Sequence, residues 1–267
     1  MSKAEVLTSP ANPLLKEVRR AILRGELTEG GCWVAETFHL LEEALRSDLD
    51  VRAVLAAESV HSAVDSHVRR LPGTRLVVVA DGLFERLSGT GTTQGVIALV
   101  RPPVWSLEQL FRGRTLIAVL DGLQDPGNAG AVVRSAEAFG ATGVLFLKGT
   151  VSPFHPKTLR ASAGSLFRVP FAQGLDAALV RAALKQNRLD VYATVPHTAG
   201  ASKLLDEVDL KRKCAIIFGS EAHGVGQTLR SAALDLSIPT VNVESLNAAV
   251  AAGIVLYETR RQRCLKA

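Results

Sequence analysis

Three stretches gather the residues of this chain that could do chemistry, and each joins an apolar run to a turn built from Gly, Pro, Asn or Ser. The first is Leu120-Asp121-Gly122-Leu123-Gln124-Asp125-Pro126-Gly127-Asn128-Ala129-Gly130, leading into Ala131-Val132-Val133-Arg134. A strand ends there, Pro and Gly shape a tight loop, and Asn128, a good N-cap type, is expected to open a helix. Arg134 then falls about two turns into that helix, able to reach a phosphate near the loop. The loop lacks the Gly-Lys-Ser/Thr ending of a P-loop. The second stretch, Ala215-Ile216-Ile217-Phe218-Gly219-Ser220-Glu221-Ala222-His223-Gly224-Val225-Gly226, delivers a glycine loop from a buried strand. Glycines let a ligand approach the backbone, and Glu221 could accept hydrogen bonds from a sugar or orient a cation. His223 has the chemistry of a general base, although an exposed loop histidine is the plainer reading. The third stretch runs from Leu236 through Ile238 and Pro239 to Ser245-Leu246-Asn247. Ser245 and Asn247 bracket a helix N-terminus, whose free N–H groups and dipole attract an anion. Capping by Ser245 is the purely structural alternative.

Other chemistries find little support. Cys32, Cys214 and Cys264 are far apart with no C-x-x-C, and the six histidines form no paired spacing, so neither a disulfide framework nor a zinc site is expected. Gly89-Thr90-Gly91-Thr92-Thr93-Gln94-Gly95 looks like a dinucleotide fingerprint, but it is spaced G-x-G-x-x-x-G and precedes a strand instead of following one. The N-terminus has no apolar signal core, and the longest apolar run, Ala248 to Tyr257, falls short of the roughly 20 residues that span a bilayer. A soluble cytoplasmic protein with no membrane partner is expected.

Those stretches need a scaffold. Residues 1–103 read as an alternating α/β module. Helices are expected from the Ser9–Pro13 turn to Arg24, over Phe38–Arg46, Val60–Leu71 and Asp81–Leu87, with strands at Cys32–Ala35, Val51–Ala56, Arg75–Val79 and Val96–Val100. Pro102 and Pro103 end the module, and a linker is placed at 102–112. Beyond it, strands at Thr115–Leu120, Gly143–Leu147, Asp190–Thr194, Cys214–Phe218 and Leu236–Pro239 alternate with helices at Asn128–Phe139, Asp176–Gln186 and Leu246–Arg263. Such alternation predicts a parallel sheet with helices on both faces, which binds ligands at the carboxyl ends of its strands. All three stretches sit there.

Charge points to a polyanionic partner. The 267 residues carry a formal net charge of +5. Residues 1–103 hold 12 Lys and Arg against 13 Asp and Glu, whereas the remainder holds 19 against 13. The basic excess therefore lies with the three stretches. Lys3, Lys16, Arg19, Arg20 and Arg24 also make the extreme N-terminus locally basic, read equally well as an RNA contact or a solvated helix face. Aromatics are only 5%, so nucleic-acid binding cannot rest mainly on base stacking.

Taken together, DPGNAGAVVRSAEAFGA, FGSEAHGV and IPTVNVESLNAAVAAGIVLYETRRQ resemble, in order and spacing, the three motifs of the SpoU (TrmH-type) family of RNA ribose methyltransferases in the SPOUT superfamily. The resemblance covers about residues 112–263 and includes PKTLRASAGSLFRVPF. Residues 1–103 are similar to that family's RNA substrate-binding domain, a ribosomal-protein-like (L30e-like) α/β module. Where the resemblance leads one to expect a Glu-Gly pair, this chain has Glu36-Thr37.

The resemblance implies a trefoil-knotted methyltransferase domain over 112–267, a homodimer, and bent S-adenosylmethionine as cofactor with no metal. It places Thr194, Gly219, Ile238 and Leu246 against the cofactor. Asn128, Arg134, Glu221, Ser245 and Asn247 form the catalytic group. The implied reaction moves the sulfonium methyl to a ribose 2′-hydroxyl, which needs alignment and loss of a weakly acidic proton. The family proposal makes the arginine the base. A guanidinium holds its proton too firmly for that, so Arg134 is read as a phosphate and oxyanion ligand. A guanosine of large-subunit ribosomal RNA is the favoured target, with a tRNA 2′-O-methyltransferase, a base methyltransferase of the same superfamily or a non-catalytic RNA-binding protein as alternatives.

Overall fold

The computed structural model describes residues 5–69, 73–88, 93–197 and 202–264. In chain order its first elements are β1 (Glu5–Leu7), α1 (Pro13–Arg24), β2 (Trp33–Glu36), α2 (Phe38–Arg46), β3 (Val51–Ala57), α3 (His61–Val68), β4 (Arg75–Val79), α4 (Asp81–Leu87) and β5 (Val96–Val100). The sheet order is β1-β4-β3-β5-β2, parallel from β1 to β3 and antiparallel across β5. β1 is absent from the sequence reading because three residues show no periodicity. The helix expected over Val60–Leu71 is α3, preceded by a 3-10 turn at Glu58–Val60. Leu71, like Gly89 to Thr92 of the fingerprint lookalike, lies outside the described residues.

α1 shows how local chemistry sets the element. Asn12 caps it by accepting from Leu14 N, Pro13 occupies the first turn, and Gly25 closes it with φ +65°. Its buried stripe, Leu15, Val18 and Ala21, enters the core formed with Leu55, Val77, Phe84 and Ile97.

The chain continues through α5 (Leu107–Leu110), β6 (Leu116–Asp121), α6 (Pro126–Ala138), β7 (Gly143–Leu147), α7 (Pro156–Ala161), β8 (Phe171–Leu175), α8 (Ala177–Gln186), β9 (Asp190–Thr194), β10 (Lys203–Leu204), β11 (Cys214–Gly219), α9 (Gln227–Arg230), β12 (Leu234–Ser237) and α10 (Ala248–Cys264). Contacts divide the chain into two compact units, Met1–Val104 with Phe154–Phe167, and Trp105–Pro153 with Arg168–Ala267. The expected linker therefore contains structure. Ser106 and Gln109 form a capping box, and Leu110 is fully buried in the second unit.

The segment 154–167 is an excursion into the first unit. Trp33 is fully buried, with ring contacts to Phe154 and Phe167 at 5.7 and 5.5 Å. Nearby, Glu36 is 4% exposed and accepts from Arg160 and, at 3.1 Å, from Ser88 Oγ. Burial pulls the Arg160 guanidinium down from its usual range. Removing either partner would leave an uncompensated buried charge, which typically costs about 3–5 kcal/mol.

Thr37, which stands where the family resemblance suggests glycine, has φ +128° and ψ +150°. This conformation is nearly confined to glycine and costs roughly 1–3 kcal/mol for other residues. Its Oγ1 offsets part of that by accepting from Leu40 N at 3.2 Å and capping α2. Glycine loses only a few tenths of a kcal/mol as an N-cap, and its extra freedom in the unfolded chain costs roughly 0.4–1 kcal/mol. Thr37→Gly is therefore expected to stabilise by about 1 kcal/mol, read as a higher melting temperature. A lower one would show that the cap outweighs the strain.

In the second unit the sheet order is β10-β12-β9-β11-β6-β7-β8 and every pairing is parallel. Ile117, Val119, Leu145, Ala215 and Ile217 pack with Leu110, Val180, Leu184 and Leu229 of the helices on one face. The alternate residues Leu116, Ala118, Leu120, Ile216 and Phe218 are buried as well, and α6 and α10 pack against β7 and β11 respectively. The C-terminal end is locked by Arg263, whose guanidinium donates to the carbonyls of Leu210, Arg114, Thr115 and Arg212. Beside it, burial pushes the Cys214 thiol up to about 11. Among the described residues no helix is long and apolar enough to cross a membrane.

Candidate active site

β12, β9, β11 and β6 are adjacent in the sheet, so the turns leaving their carboxyl ends meet at one edge. Gly219, the last residue of β11, pairs with Asp121, the last of β6. The chain then doubles back on itself. Gly224 N donates to Ser220 O at 2.9 Å, His223 N to Ser220 Oγ at 3.1 Å, and Gly226 N to Asp121 Oδ2 at 2.8 Å. A Cβ on Gly219 would lie 2.1 Å from the Gly224 carbonyl carbon. Glycine is thus required by the loop's own backbone.

Between this loop and the one following β12 lies a cavity of about 380 Å³, within the size range of small-molecule sites. Thr194, Gly219, Ile238 and Leu246, the four residues expected at the cofactor, all line it, as do Glu221 and Ser245. The Thr194 hydroxyl is committed to Ile217 O at 3.0 Å, tying β9 to β11. His223 also lines the cavity, on its exposed side. Sequence reasoning missed Arg230, which faces the cavity while bonded to Asp235 at 2.6–3.2 Å. It also missed Asp121 as the anchor of the glycine loop. Asp121 and Gly226 lie 105 positions apart and meet only in the folded chain, whereas Arg230 and Asp235 are five apart across the turn from α9 to β12 and form no recognised motif.

The structure corrects one expected cap and sets aside the capping alternative for Ser245. Asn128 does not open α6. Pro126 does, with Asp125 as the cap accepting from Asn128 N at 2.8 Å. Asp-Pro is the stronger start signal, because Pro suits the first helical position. Likewise Ser245 does not cap α10. Asn247 does, its Oδ1 accepting from Ala249 N at 2.9 Å and Val250 N at 3.3 Å. The strand expected at Leu236–Pro239 lies two residues earlier, at Leu234–Ser237.

Freed from capping, the Asn128 amide donates to Glu221 Oε1 at 2.5 Å, while its Oδ1 accepts from Asn247 Nδ2 at 3.0 Å. Three of the five expected catalytic residues, one from each stretch, thus form one hydrogen-bonded chain. The helices carrying two of them run side by side in the same direction. Asn128 meets Asn247, Ser135 meets Gly253, and the Phe139 ring lies 5.7 Å from that of Tyr257. Their N-termini, each worth roughly half a positive charge, converge beside Glu221. Arg134 is exposed, does not line the cavity, and has no hydrogen-bond or ion-pair partner among the described residues. No group of three or more His, Cys, Asp or Glu among the described residues is placed to hold a metal ion.

Residues 115–257 match the model of the SpoU rRNA methylase family. The chain belongs to that family. Residues 12–98 match an MRM3-like substrate binding domain. A 23S rRNA (guanosine(2553)-2′-O)-methyltransferase of Bacillus subtilis is 30% identical over 95% of this chain and 98% of its own. A crystal structure of an RNA 2′-O ribose methyltransferase superposes with a TM-score of 0.80 at 33% identity, covering 97% of this chain and 100% of that one. The AdoMet-bound rRNA methyltransferase of Sinorhizobium meliloti gives 0.79 at 26% identity, with 99% of each chain covered. The SpoU match falls mostly on the parallel-sheet unit, and the chain is an RNA methyltransferase of this class.

Proposed function

We propose that this protein transfers a methyl group from S-adenosylmethionine to a ribose 2′-hydroxyl of RNA. The observation that carries the reading is the Glu221–Asn128–Asn247 chain at two converging helix N-termini beside the 380 Å³ cavity. S-adenosylmethionine is the methyl donor and, when bound, supplies a methyl carbon activated by its sulfonium. The cavity suits it, with apolar Leu236, Ile238 and Leu246 for an adenine and the Glu221 and Glu244 carboxylates complementing positive charge.

The chain's own groups serve the ribose. Asn128 and Asn247, each held by the other, fix the sugar relative to the cavity, and Ser245 offers a hydroxyl at its rim. Negative charge developing on the 2′-oxygen is stabilised by the free N–H groups of α6 and α10 and by the guanidinium of Arg134. A guanidinium stays protonated, so Arg134 binds the neighbouring phosphate, and the 2′-hydroxyl proton passes to water as the O–CH3 bond forms and the S–CH3 bond breaks, with S-adenosylhomocysteine as the leaving group.

Residues 1–103 select the RNA and 112–267 methylate it, through the trefoil-knotted topology of the family. The enzyme works as a homodimer. Val250, Ile254 and Tyr257, exposed at 51, 37 and 55%, form an apolar stripe on α10 suited to a second copy. The 23S rRNA guanosine in the name of the matching B. subtilis enzyme supports a guanosine of large-subunit ribosomal RNA as the target of this chain.

The product tests the reading. A 2′-O-methylated nucleotide has lost the internal nucleophile of alkaline cleavage. RNA incubated with the enzyme and labelled cofactor should therefore yield an alkali-resistant labelled dinucleotide, with mass spectrometry placing the methyl on ribose. A methyl on a base nitrogen would overturn the proposal.

A further inference from the structure

The first unit holds a second cavity, of about 250 Å³, at the carboxyl ends of the parallel pair β3 and β4. Fully buried Phe84 belongs to its apolar floor. Gly95, with φ +73°, brings the backbone so close that a Cβ there would meet Val60 Cγ2 at 2.7 Å. Asp81 and Glu85 stand one turn apart on α4, so both carboxylates face the same way. Asp81 is held by Ser59, whose N and Oγ donate to its Oδ1 at 3.1 and 2.9 Å. Gln94 is held too. Its Oε1 accepts from Phe38 N at 3.0 Å, which leaves the amide NH₂ as a donor.

No Lys, Arg or His is among the described residues lining this cavity, so it is not built for phosphate. Its ligand must bring donors to carboxylates and an acceptor to an amide. Among RNA bases only the Watson–Crick edge of guanine combines two adjacent donors, N1–H and N2–H, with an acceptor, O6. Adenine and cytosine offer one exocyclic amine, and uracil one imino N–H between carbonyls. We propose that this cavity binds an unpaired guanine of the RNA substrate, with Glu85 accepting from N1–H and N2–H and Gln94 donating to O6. The inference rests on RNA being the substrate.

The test uses the full chain with its catalytic cavity saturated by S-adenosylhomocysteine. Fluorescence anisotropy compares a fluorescein-labelled uridine nonamer carrying one central guanosine with its inosine counterpart, which lacks only the 2-amino group. The wild-type chain should bind the guanosine nonamer about tenfold more tightly, within the range for a bidentate base contact. Glu85→Gln should bring the two affinities together while leaving the melting temperature and S-adenosylhomocysteine affinity unchanged. Equal wild-type affinities, no measurable binding of either nonamer, or a preference that survives Glu85→Gln would overturn the assignment. Methyl transfer to total RNA separates the two readings. If RNA is methylated but the nonamers bind alike, only the guanine site fails; if no RNA is methylated, the proposed function itself fails.

Discussion

Arg134→Ala is expected to reduce methyl transfer by about 10²–10³, the typical loss when one preorganised charge-stabilising group is removed from a developing oxyanion. Affinity for S-adenosylmethionine should hardly change, because Arg134 does not line the 380 Å³ cavity. Folding should be equally unaffected. The side chain is exposed and has no ion-pair or hydrogen-bond partner among the described residues, and alanine is the better helix former inside α6. Single-turnover rates with saturating RNA, set beside calorimetric cofactor titrations, separate these effects. Near-normal turnover would remove Arg134 from the chemistry, and a parallel loss of cofactor affinity would place it in the cofactor site instead.

Gly219→Ala should act on the cofactor first. The added methyl would sit 2.1 Å from one backbone carbon and 2.3 Å from the Val225 nitrogen, and neither can move without opening the loop held by Asp121 and Ser220. Forced overpacking of this kind usually costs about 1–3 kcal/mol. Here that cost falls on the wall of the binding cavity. Affinity for S-adenosylmethionine is therefore expected to drop by roughly 10²-fold, equivalent to about 2.7 kcal/mol, and Glu221 should lose its position against Asn128. Titration calorimetry reads the affinity, and a thermal melt shows whether the fold survives. Unchanged affinity would mean that the Gly219 loop is not the wall of the cofactor site.

Much of the second unit was legible because its strands are short, apolar and buried on both faces, as parallel strands must be when helices cover both sides. β7 and β9 fall at their expected limits, and β6 and β11 within a residue of theirs. The elements that escaped, β8, β10, α5, α7, α9 and the 3-10 turns, are two to six residues long and carry no clear period. The stretch PKTLRASAGSLFRVPF, residues 156–171, resembles the family and overlaps most of the segment 154–167. Nothing in its pattern announces that Phe154 and Phe167 meet Trp33 with tilted and edge-on rings, because contacts between residues so distant in sequence leave no local trace.

By itself, then, the sequence determined the three stretches, the strand ends that must carry them, and Gly219 and Asn247 as residues of special consequence. Their types and order reflect local needs, tight turns and helix starts, which neighbouring residues decide. Only the tertiary structure decided what each residue does. It moved the caps to Asp125 and Asn247, left Asn128 free to bridge Glu221 and Asn247, and set α6 beside α10 so that two positive helix ends meet. It also gave Gly219 a reason in the backbone folding over it. The physical cause is the same throughout. Hydrogen bonds and close packing between residues about a hundred positions apart depend on the register of a seven-stranded sheet, and register is a property of the assembled sheet, not of any one strand.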